Sequence, residues 1–364
     1  MELVNLLEFL NKSKELYAPS FATSDIGLVN FLDIIAEDKQ FTQKIDLGVI
    51  FVSQRTLNQY VVVDGFSRLL SLSLLLHAVC ECYKKTSEKN DKAIKTIRSK
   101  YLLNDSKTKL RMSEDCQVIY DKLIFGERLS GKEKKSPVFT LMHALWSQIK
   151  EESLQAGNIF TMLQRIVINL VETENICTRD LYYTLNKEKR ELNQYLLIDS
   201  YMNSLALDKE WNSLKKVFRN REEDINLFFK DFFITKFSFK EYQQNRLYEI
   251  FTNYFETMLQ YISKEALCKK LKRSAEIYKD ILNVNMPNEK LRDALIQIKM
   301  HNGADTYAYL LNIYEDYLED NISEATFYEI LLTIDEYLKN RQKTPNNVGF
   351  NELIQYLNAF ITCK

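Results

Sequence analysis

Asp64-Gly65-Phe66-Ser67-Arg68 gathers a carboxylate, a glycine, a hydroxyl and a guanidinium at the point where a β-branched run gives way to a long apolar one. Tyr60-Val61-Val62-Val63 reads as a strand, and Leu69 to Val79 as a helix. A strand that turns into a helix through Asp-Gly aims the first helical N–H groups, and the positive end of the helix dipole, at whatever occupies the turn. Arg68, one turn into the helix, adds a planar fork of donors matched to phosphate or carboxylate. The chemistry on offer is anion binding. The same junction with Asp at the N-cap often serves only to start a helix, so these residues alone leave both uses open.

The junction needs a support, and the preceding residues supply one. Leu47-Gly48-Val49-Ile50-Phe51-Val52-Ser53 reads as a second buried strand, so the two runs form a hairpin that delivers Asp64 to the helix. Upstream, Val4 to Leu16 and Ser24 to Ala36 read as helices, the second with Ile26, Val29, Leu32 and Ile35 at helical spacing. Phe139 to Glu152 is a further helix. The branched run Ile166 to Glu172 favours a strand that pairs back onto the N-terminal sheet. From Thr178 onward apolar residues recur at three and four, as in Tyr248, Phe251, Tyr254, Phe255 and Leu259, and these aromatic stripes are expected to be core.

Composition sets the class. The chain has 364 residues, 46% of them hydrophobic, with only 8 glycines and 4 prolines, which fits a predominantly helical protein of more than one region. The expected fold is α+β and mostly α: a small mixed N-terminal domain over residues 1–175 with a helical insertion, then a large helical domain over 176–364. Six cysteines show no C-x-x-C spacing, and neither a secretory signal nor a membrane-length apolar run is evident, so a cytoplasmic protein with reduced thiols is expected. Three histidines and the scattered cysteines offer no metal site. His77, on the apolar helix, reads as a packed and hydrogen-bonded core residue. Walker A, H-E-x-x-H, G-x-S-x-G and kinase patterns are absent, which excludes those phosphate-cradling and hydrolytic templates.

Net charge is −1 but unevenly spread. Lys84 to Arg111 carries ten bases against three acids, whereas Asp305 to Glu336 carries nine acids and no base. The basic stretch is either a solvated lysine-rich surface or one that meets DNA phosphates with salt-dependent affinity.

Four blocks, taken together, resemble one family. Tyr60 to Leu76 is similar to the "(I/V)-D-G-Q-Q-R-L-T-T-L" block of the N-terminal domains of GmrSD-type restriction systems. Leu110-Arg111-Met112-Ser113 with Asp115 to Leu123 is similar to an "L-x-L-s-x-x-D" segment. Leu181 to Asn186 with Glu191 to Ile198 resembles a segment built on Leu-Asn, and Ile322 to Arg341 resembles a helical region ending in paired arginines. The resemblance spans nearly the whole chain in order. It implies a ParB/sulfiredoxin-like fold for the N-terminal domain and a nucleoside triphosphate with magnesium at the Asp-Gly block.

Carried onto this chain, the resemblance makes Asp64, Gly65, Ser67, Arg68 and Asn186 the nucleotide-binding residues, with Asp64 and Arg68 catalytic if hydrolysis occurs. Gly65 would admit the phosphates, Arg68 would pair with them, and Asp64 would cap the helix or organise a metal-bound water. Asn186 either holds the motif in place or caps the helix beginning near Leu192. The implied role is that of a GmrS-like regulatory component of a DNA restriction or phage-defence system. It would act with a separate nuclease subunit and DNA and away from membranes, because an HNH nuclease domain has no counterpart in this sequence. Three departures bear on this. Tyr17 to Ser24 aligns with the family's "Q-R-p-Y-x-W" block but carries no arginine. Phe66-Ser67 replaces the family's Gln-Gln, and Lys187 to Arg190 stands where a glycine is usual. The alternative is therefore a non-enzymatic scaffold in which the Phe66 ring plugs a degenerate site.

Overall fold

In the computed structural model the described residues are 2–23, 44–85, 90–151, 155–174, 176–189, 192–236, 246–343, 353–355 and 357–358. The architecture is α+β and mostly helical. Two compact units make up the chain, Met1–Asn193 and Gln194–Lys364.

The first unit is built on a six-stranded mixed sheet. Its strands are β1 (Glu2–Asn5), β2 (Glu15–Tyr17), β3 (Ile45–Thr56), β4 (Gln59–Asp64), β7 (Leu110–Arg111) and β8 (Ile166–Thr173), in the order β1-β8-β3-β4-β2-β7. β3 and β4 form the expected antiparallel hairpin, with Val52 opposite Val62 and Ser53 opposite Val61. Asn58 closes its turn at φ 62°, a left-handed conformation that asparagine tolerates better than most residues. β8 pairs parallel to β3 and antiparallel to β1, so the branched run 166–172 does return to the N-terminal sheet. A two-stranded ladder of β5 (Leu103–Asn104) and β6 (Lys107–Thr108) stands apart from it.

The expected helix over Val4 to Leu16 is replaced by a strand, a short helix and a strand. Between β1 and β2 lies α1 (Leu6–Lys12), capped by the Asn5 side chain, which accepts the Glu8 N–H at 3.1 Å. The helical spacing of Leu6, Leu7, Phe9 and Leu10 is real, but both flanks are drawn into the sheet by β8 and β4. Ser24 to Ala36 lies outside the described residues.

Helix α2 (Phe66–Lys85) is the core of this unit. Leu69, Leu70, Leu72, Leu74, Leu75, Leu76, Ala78 and Val79 are all buried, and a helix apolar on every side must be enclosed on every side. It packs against α3 (Asp91–Ile97), α5 (Pro137–Glu151) and α6 (Ala156–Leu163). By length and composition α2 could cross a membrane, but its burial is that of a core helix. α4 (Glu114–Phe125) and α7 (Thr178–Asn186) complete the unit, and α7 packs against β4. Sequence places α7 in the helical part, beyond residue 175. Its contact with β4 ties it to the sheet, and the first unit runs to Asn193.

The second unit is helix on helix: α8 (Gln194–Ser204), α9 (Asp208–Val217), α10 (Glu222–Lys236), α11 (Leu247–Met258), α12 (Lys264–Asn283), α13 (Glu289–Met300), α14 (Tyr307–Leu318) and α15 (Glu324–Lys343). Its aromatic stripes are core, as expected. Trp211, Phe218, Phe228, Phe229, Phe232, Phe233, Phe251 and Phe255 are almost fully buried, with edge-on pairs such as Phe229–Phe251 at 5.2 Å. Asp231 is buried among them and accepts the Tyr278 hydroxyl at 2.6 Å, while burial raises its pKa. The Arg341 side chain lies outside the described residues.

His77 is buried on α2, and its Nδ1 finds no hydrogen-bond partner among the described residues, against the expectation of a hydrogen-bonded ring. Burial pulls its pKa down to about 4, with Glu81 opposing and Arg98 and Lys84 reinforcing. A histidine neutral in the fold but charged when unfolded binds more protons unfolded, so stability falls as pH drops from about 6.5 toward 4. Urea denaturation at pH 7 and pH 5 is expected to show a loss of about 2 kcal/mol from this residue, which His77→Met removes.

Candidate functional site

The site grows from an irregularity in β3. The pairing of β3 with β8 slips between Asp46 and Val49, and Gly48 takes φ 79° inside the slip. Asp46 stabilises the slip by accepting the Gly48 N–H at 2.8 Å, and Asn169 of β8 donates to the same carboxylate at 3.0 and 3.2 Å. An extra residue of this kind re-aims the backbone. Here the Leu47 and Val49 carbonyls both meet the Arg68 guanidinium.

Arg68 therefore does something the sequence did not reveal. Its Nη1 donates to Leu47 O and its Nη2 to Val49 O, both at 2.6 Å. Asp64 stands beside it, with Oδ2 at 3.8 Å from Nη2. Burial lowers the Arg68 pKa and the Asp64 carboxylate works against that shift, yet an arginine remains charged throughout the physiological range. Each terminal nitrogen keeps a second N–H, and the side chain is 22% exposed, so the fork can fasten β3 and still present donors outward.

Two glycines make this approach feasible. A Cβ on Gly48 would come within 3.3 Å of Arg68 Nη1. On Gly65, at φ 99°, it would meet Ile50 Cγ1 at 3.0 Å and Arg68 Nη2 at 3.2 Å. Gly65 is also the residue immediately before α2, and its carbonyl accepts the Leu69 N–H at 3.3 Å. The cap position thus belongs to Gly65, and Asp64 lies one residue farther out.

Asn186 closes the arrangement from α7. It is buried at the end of that helix, and its Nδ2 donates to Tyr182 O at 3.0 Å and to Asp64 Oδ1 at 3.4 Å. Of its two anticipated uses, this geometry is the first: it holds Asp64. The next helix starts at Gln194, eight residues on by number.

These residues bound a cavity of about 220 Å³, lined by Ala22, Val63, Asp64, Gly65, Phe66, Ser67, Arg68 and Tyr182. That is below the roughly 300–1,000 Å³ typical of pockets enclosing a whole ligand. It suits a phosphate group, with the rest of a nucleotide outside the cavity. Phe66, 2% exposed, belongs to the apolar cluster around α2, so its ring forms a wall and leaves the cavity open. Among the described residues no group of three or more His, Cys, Asp or Glu side chains is placed to hold a metal. Magnesium carried in on nucleotide phosphates would meet Asp64, one carboxylate, which is within the ligand count usual for that ion.

The basic stretch after α2 is less uniform than its sequence. Lys109 is buried, and its Nζ donates to Leu10 O and Lys100 O at 2.7 Å and to Asn11 O at 3.3 Å, so it cannot reach an external phosphate. Arg111 lies 3.9 Å from Asp121, Lys84 pairs with Glu81, and Lys89 is outside the described residues. Cys80, Cys82, Cys116, Cys177 and Cys268 are free thiols.

Arg68→Lys keeps the charge but loses the fork, leaving one of the two β3 carbonyls without its donor. In urea denaturation of the ligand-free protein this variant is expected to lose about 2–3 kcal/mol. A purely ligand-binding arginine would show no such loss.

No protein-family model and no curated protein matches this chain.

Proposed function

We propose that the chain is a GmrS-like regulatory component of a DNA restriction or phage-defence system that binds a nucleoside triphosphate with magnesium at the junction of β4 and α2. The observation that carries this is the open cavity at the first turn of α2, walled by Asp64, Gly65, Ser67 and Arg68 and steadied by Asn186. A helix start concentrates N–H donors and a positive partial charge, and Arg68 adds a full one, so the cavity favours a phosphate. Gly65 lets that phosphate approach the backbone, Ser67 offers a hydroxyl, and Asp64 faces the metal that accompanies it. Bound nucleotide would be read out through a separate nuclease subunit and DNA in the cytoplasm, with the Lys84 to Arg111 region contributing its exposed cations to the DNA.

The activity proposed is binding. Phe66 and Ser67 stand where the family it resembles has two amides, and removing donors from a reacting phosphate weakens transition-state positioning by a few kcal/mol. A second reading, a scaffold whose site is retired, is favoured by one observation: both terminal nitrogens of Arg68 already serve β3.

Ser67→Asp separates the two. An acid in the first turn suits the helix dipole, so folding stability should hold or rise by a few tenths of a kcal/mol, while a carboxylate in the cavity repels phosphate. Isothermal titration with ATP, GTP, CTP and UTP plus magnesium is expected to show binding of at least one nucleotide by the wild type. The variant should bind it at least about tenfold more weakly. No binding by the wild type would leave the scaffold reading.

A further inference from the structure

A second cavity of the first unit, about 740 Å³, shares no lining residue with the one at α2. It is formed by the end of α1 and the residues after it, by α3, by the π-helical turn Arg98–Leu102 and by the loop joining β5 to β6. Its volume lies within the range of pockets that enclose a whole small ligand. Five cations line it, Lys12, Lys14, Lys95, Arg98 and Lys109, against two carboxylates, Asp91 and Asp105.

These cations divide by role. The ammonium of Lys109 is spent on the carbonyls of Leu10, Asn11 and Lys100, which pins the end of α1 to the π-helical turn. Arg98 fixes the same turn to α4 through Ile124 O at 2.9 Å, leaving its other donors available. Lys12, Lys14 and Lys95 are exposed, and among the described residues none of them forms an ion pair. Five cations against two carboxylates around one concavity leave a net positive charge that attracts a compact polyanion.

We propose that this cavity binds a small molecule carrying adjacent phosphate groups, held by Lys12, Lys14 and Lys95. Ile94 and Leu103 supply the apolar part of the wall against which the remainder of such a molecule can rest. An extended nucleic-acid backbone fits less well. It needs a continuous basic track, and here Asp91 and Asp105 interrupt the wall while Arg111 and Lys84 are engaged by Asp121 and Glu81. The site is independent of the phosphate cavity at α2, since the two share no residue.

The test is calorimetric titration with sodium tripolyphosphate in the Ser67→Asp background, where the added carboxylate weakens anion binding at the α2 cavity. The protein with all three lysines is expected to bind. The variant Lys12→Glu/Lys14→Glu/Lys95→Glu should bind at least about tenfold more weakly, and Lys95→Ala alone, an exposed position where the fold is kept, about threefold more weakly. Competition by ATP would identify a nucleotide as the source of the phosphates, and its failure would identify inorganic polyphosphate. Absence of tripolyphosphate binding overturns the proposal, as does a triple variant within about twofold of its parent. So does an oligonucleotide that displaces tripolyphosphate with affinity rising with its length. None of these outcomes depends on whether nucleotide binds at Ser67.

Discussion

Two hydrogen bonds from one guanidinium organise the first unit. Arg68 reaches from the first turn of α2 to the Leu47 and Val49 carbonyls, and so ties the start of the central helix to the slip in a central strand. Charge-assisted bonds of this kind are stronger than neutral ones, and these sit where burial limits competition from water. Around them the other constraints fall into place. Gly48 and Gly65 must lack side chains to admit the guanidinium, Asp46 must hold the slip open, and Asp64 must stand near enough to balance the charge.

That economy explains how one motif can look both structural and functional. Fastening β3 takes one N–H from each terminal nitrogen of Arg68, and the cavity is bounded by the same turn, with Gly65, Ser67 and Arg68 itself in its wall. A phosphate there would meet donors already fixed in place, and fixed donors lose little freedom on binding. Asn186 extends the same logic, because a buried amide bonded to both Asp64 and the Tyr182 carbonyl helps to orient that carboxylate.

Much of this was legible in the sequence, for reasons that differ by element. The hairpin and α2 were legible because branched residues, an Asp-Gly junction and an unbroken apolar run all agree on the same outcome. The strand at Ile166 was legible from its branched residues alone. Leu6 to Leu10 misled because short apolar runs fit either period, and the strands flanking them are set by partners far along the chain, β8 for one and β4 for the other. The destination of Arg68 was hidden for the same reason. Nothing around Arg68 marks that Asp46 to Val49 will slip in register, although Asp46-Leu47-Gly48 places an acid two residues before a glycine, the one local sign of such a turn. Nothing in the charged neighbours of Lys109 sets it apart, and only the tertiary structure shows three carbonyls converging on it.

The central claim is that the turn fastened by Arg68 presents its backbone to a phosphate. The most direct measurement follows the backbone amide resonances of Phe66, Ser67 and Gly48 as ATP and magnesium are added. The account predicts that Phe66 and Ser67 move with a single saturating curve while Gly48, whose N–H is held by Asp46, stays in place. Saturable ATP binding that leaves Phe66 and Ser67 unmoved would contradict it.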